Sequence, residues 1–222
     1  MESVLRLDNR SRMSREVHVR FCEGLGVRFP RATRLLACFQ HRDDAEAFHQ
    51  RLPKRLAKFG LRLAEEKTQC IKFGRYARGD ARRRGGKPKE FTFLGFTHYC
   101  GKTKRGYFKV KRRTSRKKFG QSLNRFAVWA RKSRGVLTKG EMLRRAKARV
   151  VGHLNYYAIT DNADRCSAYV YHATRVLFKW LNRKSQRRTY TWVGFRQALD
   201  AVGWPQATIR KDLNQFRRLQ AT

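Results

Sequence analysis

Asp43 and Asp44 are the first residues whose types and spacing suggest chemistry, because neighbouring carboxylates can hold a pair of divalent cations for phosphoryl transfer. They follow Gln40, His41 and Arg42 and stand before a helical pattern, where acids at a helix start account for them by capping instead. His18, His41, His49, His98 and His172 have no metal-ligand spacing, and no metal or cofactor is expected. Cys22, Cys38, Cys70, Cys100 and Cys166 are odd in number and never form C-x-x-C, so reduced, mostly buried thiols in a cytosolic or equivalent compartment are expected. No Ser/His/Asp set, P-loop or glycine-rich dinucleotide turn occurs.

The chemistry the chain does offer is cationic. It has 54 Lys and Arg against 16 Asp and Glu in 222 residues, a formal net charge of +38. Residues 101–150 hold nineteen of these bases and a single acid, Glu141, whereas residues 35–66 are nearly balanced. A compact body with such a field repels itself unless a polyanion faces it. Candidate phosphate contacts are Lys111, Arg112, Arg113, Arg116, Lys117, Lys118 and Arg125, then Arg144, Arg145 and Arg149, and finally Arg183, Lys184, Arg187 and Arg188. Arg131, Lys132 and Lys147 lie on the same helical segments. The cluster at 152–157 (GHLNYY) places His153, Tyr156 and Tyr157 where they would either stack on an unpaired base or pack between helices, and packing is the preferred reading.

These side chains need elements to carry them. With 41% hydrophobic and 12% aromatic residues the chain can fold. No apolar run approaches the ~18 residues of a membrane helix, the N-terminus has no apolar signal core, and Glu2, Asp8 and Glu16 speak against a transit peptide. Residues 35–39 (LLACF) read as a short strand. A helix follows with Ala47, Phe48, Leu52, Leu56 and Phe59 as its apolar positions, kinked or divided at Pro53 and stopped at Gly60. Leu61, Leu63, Ile71 and Phe73 suggest strands, and residues 78–89 an exposed loop. Residues 91–97 and 107–110 form a hairpin signal around 101–106. Beyond it the period is helical: Phe119, Leu123, Phe126 and Ala130; Leu143, Ala146, Val150, Leu154 and Tyr157; Cys166, Tyr169, Val170, Ala173, Leu177 and Leu181. A shorter helix is expected at 192–201. The expected class is α+β, with a small sheet region followed by a helical bundle.

From about residue 35 to residue 213 the chain resembles the C-terminal part of bacterial group II intron reverse transcriptase/maturase proteins. The resemblance rests on LLACFQHRDDAEAFHQRLPKRLAKFGLRLAEEKT (35–68), FTFLGFTHYCGKTKRGYFKVKRRTSRKKF (91–119), GHLNYY (152–157) and LFKWLNRKSQRRTYTW (177–192). It implies three regions: a poorly matching leader over 1–34, a partial polymerase palm over 35–110, and a thumb or maturase X domain over 111–222 that grips intron RNA and the template–primer duplex. The family's catalytic Tyr-Ala-Asp-Asp would fall on Arg31, Ala32, Thr33 and Arg34, so both metal-binding carboxylates are missing. Residues 1–34 are also too short for the family's fingers and first palm half, and a truncation or frameshift is expected to have joined an unrelated leader to the remnant. Lys67 matches the family's palm lysine, and Leu94 and Gly95 lie in the motif that supports the primer end; both also read as a strand turn and a buried edge.

The expected function is binding of group II intron RNA and assistance to splicing without catalysis. The alternatives are a polymerase fragment that needs a partner chain, a basic ribonucleoprotein scaffold, or a decaying remnant. Apolar palm edges at 35–39 and 91–96 would favour self-association.

Overall fold

The computed structural model describes residues 36–183 and 189–213. Arg31, Ala32, Thr33 and Arg34, the leader as a whole, and Lys184, Arg187 and Arg188 lie outside them. The chain divides into two compact units between Phe73 and Gly74.

In the first unit a single helix, α1 (Arg42–Ala57), runs through Pro53 without interruption. Proline there removes one N–H donor, and at an exposed position water can satisfy the carbonyl left over. His41 stands at the N-cap and makes no side-chain bond. Asp43 and Asp44 therefore act through the field of the first turn and not as caps, with Lys54 and Arg55 answering them in the last turn. Gly60, at φ +69°, ends the segment. A 3₁₀ turn at Glu65–Lys67 follows, closed by the Thr68 hydroxyl donating to the Ala64 carbonyl at 2.9 Å. The strands expected at 35–39 and around Leu61, Leu63, Ile71 and Phe73 are not formed among the described residues, and none of the described residues of this unit offers a ladder to pair with. None of residues 36–73 is buried; Phe59 is 70% and Leu61 57% exposed.

The second unit opens with a short helix, α2 (Ala77–Arg83), where a loop was expected. Ala77 is its buried anchor, and Arg83 pairs with Asp80 one turn earlier. Three antiparallel strands follow in the order β1 (Phe91–Phe93), β2 (Phe96–Lys102), β3 (Phe108–Thr114). Phe93 pairs with Phe96, so Leu94 and Gly95 are the two central residues of a tight turn, both at positive φ (+49° and +85°). That is the backbone of a type I′ hairpin, whose twist matches its strands. The run 91–97 is thus two strands and a turn, because Gly95 permits a reversal that apolar patterning alone conceals. Tyr107 belongs to the second turn, where its N–H bonds the Thr103 hydroxyl at 3.1 Å.

Helices α3 (Arg116–Ser133), α4 (Lys139–Tyr157), α5 (Ala163–Leu181) and α6 (Trp192–Ala201) complete the unit. Their starts have local causes. Ser115 accepts from the Lys118 N–H, Thr138 and Glu141 form a reciprocal capping box, and Thr191 accepts from the Gly194 N–H at 3.2 Å. Met142, Val150, Leu154, Ala173, Leu177 and Phe195 are fully buried between them. The fold is α+β.

The division near residue 110 implied by the resemblance falls inside β3. The sheet belongs to the same compact unit as the helices: Phe96 lies 5.7 Å from Tyr156 and 5.2 Å from Tyr157, ring centre to ring centre. Of the described cysteines, Cys100 and Cys166 are buried, whereas Cys38 and Cys70 are exposed, in a stretch (36–73) where no residue is buried. Among the described residues no helix is long and apolar enough to cross a membrane.

Candidate nucleic-acid interface

β3 and α3 together bring the first basic group into place. Lys111, Arg112 and Arg113 follow one another on β3, opposite Tyr99, His98 and Thr97, and all three are half-buried. Arg113 is engaged within the fold, 2.6 Å from Glu90 and with its guanidinium 5.0 Å from the Tyr99 ring centre. Arg112 sits by His98, whose pKa is lowered first by burial and then by that charge. At the strand's end the chain turns through Ser115 into α3, and Arg116, Lys117 and Lys118 are all exposed in the first turn, with no acid among them.

Cations at a helix N-terminus oppose the macrodipole. The first turn of α3 therefore contributes unfavourably to its own helix and is suited to an external anion. Arg125 is exposed further along, its Nε donating to the Gln121 carbonyl at 3.4 Å, while Arg131 and Lys132 close the helix where the dipole favours them. On α4, Arg144, Arg145 and Arg149 are exposed, and Arg149 lies 4.5 Å over the Trp129 ring, which orders it without cancelling its charge. Lys147 is turned inward, donating to the Val202 carbonyl at 2.8 Å, so it ties α4 to the end of α6 and is not a surface cation.

Arg183 stands at the end of α5, 5.7 Å from the Trp180 ring centre; Arg134 and Lys179 flank the same ring at 5.0 and 5.4 Å. Sequence patterning passed over the rest of this ridge. Tyr171, Arg175 and Lys179 recur every fourth residue along α5, Arg183 follows four further on just past its end, and all are exposed. The signal was present in the gaps of the apolar stripe Ala173, Leu177, Leu181.

The 152–157 cluster is engaged in packing. His153 stacks on Tyr169 with ring centres 3.5 Å apart and lies 4.5 Å from Tyr157. Burial, aided by the charge of Arg125, lowers the His153 pKa to about 4, so the ring is neutral at pH 7. Tyr156, about half exposed, donates its hydroxyl to the Leu94 carbonyl at 2.8 Å. Leu94 and Gly95 are thus the turn that α4 grips. A Cβ on Gly95 would meet the Tyr157 hydroxyl at 3.0 Å. Lys67 lies in the first unit, exposed in the 3₁₀ turn and 3.4 Å from Glu66.

Asn162 was also overlooked. Fully buried, it accepts from the Thr114 N–H at 2.7 Å and donates both to the Thr114 hydroxyl at 2.8 Å and to the Tyr157 carbonyl at 2.7 Å. One side chain thereby joins the end of β3, the end of α4 and the start of α5. An isolated Asn before a helix reads as a cap, and nothing in its sequence neighbourhood points to residue 114.

The chain matches no family model, no curated protein and no solved structure.

Proposed function

We propose that this chain is a non-catalytic RNA-binding protein, similar to the maturase part of group II intron reverse transcriptases, that holds intron RNA in its active fold and leaves the chemistry to the RNA. The observation that carries the reading is the exposure of Arg116, Lys117, Lys118, Arg125, Arg144, Arg145 and Arg149 on two consecutive helices, within fifty residues that contain one acid. Each base set against a phosphate releases a counterion, which supplies affinity without any protein acid, base or metal. The three cations at the start of α3, placed against their own helix dipole, support an anionic partner over a merely solvated surface. The choice of intron RNA rests on the sequence resemblance at 35–68, 91–119, 152–157 and 177–192.

Filter binding in a salt series tests both parts. We expect tight binding of a structured group II intron RNA that persists at about 150 mM salt, where an unrelated duplex is released. Equal affinity for both would reduce the interface to charge alone. Primer extension with Mg²⁺ or Mn²⁺ is expected to give no product. Synthesis by the purified chain would replace this reading with a polymerase.

A further inference from the structure

The ridge on α5 runs into a groove. Tyr171, Arg175 and Lys179 are spaced by four residues on α5, a rise of about 6 Å per step along a helix, Arg183 follows just past its end, and no acid interrupts the series. Tyr171 is 55% exposed and is oriented by Arg175, whose Nη1 donates to its hydroxyl at 2.8 Å. Tyr171 also forms one wall of a groove of about 450 Å³ between α5, α6 and the segment after α6, with Trp204, Leu199, Arg196, Asp200 and Gln206.

The other aromatic residue lining the groove, Trp204, is held in place. Trp204 Nε1 donates to the Thr174 hydroxyl at 3.0 Å, and its backbone N–H bonds the Leu199 carbonyl at 2.9 Å. The result is an open, partly aromatic slot with a few polar groups at its edge, beginning where a line of cations ends.

The geometry points to a single-nucleotide subsite: an unpaired base of an RNA strand enters the α5–α6 groove and stacks on Tyr171, while the adjoining phosphates follow Arg175, Lys179 and Arg183. This rests on the RNA-binding reading and adds to it a place where a base is read as well as a backbone held. Asp200 and Arg196 both line the slot, and the carboxylate is its charged acceptor for a base edge. A carboxylate there repels a phosphate but accepts hydrogen bonds from an exocyclic amino group, so adenine, cytosine and guanine suit the site better than uracil. Stacking itself accepts any base.

Labelled single-stranded oligoadenylate, oligocytidylate and oligouridylate of equal length, with a duplex RNA as control, test the subsite on the full chain. Wild type should prefer A and C to U. Tyr171→Ala should weaken A and C binding about tenfold while leaving the duplex unchanged. Asp200→Asn should remove the preference against U, and Lys179→Glu should weaken all single strands alike and flatten their salt dependence. Circular dichroism melting of each variant should stay near wild type, as all three positions are exposed. Single-strand binding that ignores Tyr171→Ala, or a preference that survives Asp200→Asn, would overturn the subsite while duplex binding still stood. Loss of all RNA binding in the wild type would overturn the RNA reading with it.

Discussion

His153 shows how a single position converts its surroundings into a measurable property. Its folded-state pKa, about 4, lies below the ordinary 6.5, so between these values the unfolded chain binds more protons than the folded one. Stability is full above about pH 6.5 and declines as the pH falls towards 4. Urea midpoints taken from pH 7 to pH 4.5 should show that decline, and His153→Phe should flatten it. His98, whose pKa is also lowered by burial, adds a slope of the same sign. An unchanged slope in the variant would mean that His153 is already accessible to protons in the fold. Gly95 makes a different demand. At φ +85°, and with the Tyr157 hydroxyl 3.0 Å from where a Cβ would stand, Gly95→Ala should cost about 1–3 kcal/mol. Thermal unfolding reads that loss directly.

The elements differ in how they hold together, and so in how much of them the sequence discloses. Helices α3 to α6 were legible because their apolar residues recur at three and four positions and their starts carry Ser115, Thr138 with Glu141, and Thr191. The Leu94–Gly95 turn was hidden inside an apolar run, since positive φ at a leucine has no compositional signature. The missing strands of residues 36–73 are a failure of another kind. Apolar residues there have strand-like patterning, but a strand exists only beside another, and pairing partners cannot be read from local sequence. The basic residues of the candidate site were legible as a set, whereas their fates were not. Lys147 turned inward and Arg113 found Glu90, because both bonds join residues far apart in the chain. Asn162 is another such tie, with bonds to Thr114 and Tyr157. Asn162→Ala should leave the Thr114 N–H without an acceptor and cost about 2–3 kcal/mol in denaturant unfolding. Because the residue is the joint between sheet and helices, amide exchange in β2 and β3 should rise with that in α5; a rise confined to α5 would show that the sheet is held independently.

For the molecule as a whole, +38 charges in 222 residues make ionic strength a stability variable. Without RNA, raising salt should screen the self-repulsion and raise the melting temperature; with RNA bound, the same salt should lower it by releasing the ligand. The opposite signs give a simple calorimetric check, and a melting temperature that falls with salt in both states would remove the electrostatic account. Replacing one candidate phosphate contact of the proposed interface, such as Lys117→Gln, should weaken RNA binding evenly across sequences and reduce the salt slope by about one.

The bond between Asn162 and Thr114 also sets an order of events during synthesis. The two residues are 48 apart, so when β3 leaves the ribosome the group that closes its end has not yet been made. At ~5–20 residues per second the wait lasts several seconds. For that interval the nascent hairpin carries an open amide and an unclosed edge. Slowing translation between codons 114 and 162 should therefore lengthen the time during which the emerging chain can be captured by chaperones or pair with a neighbouring nascent chain.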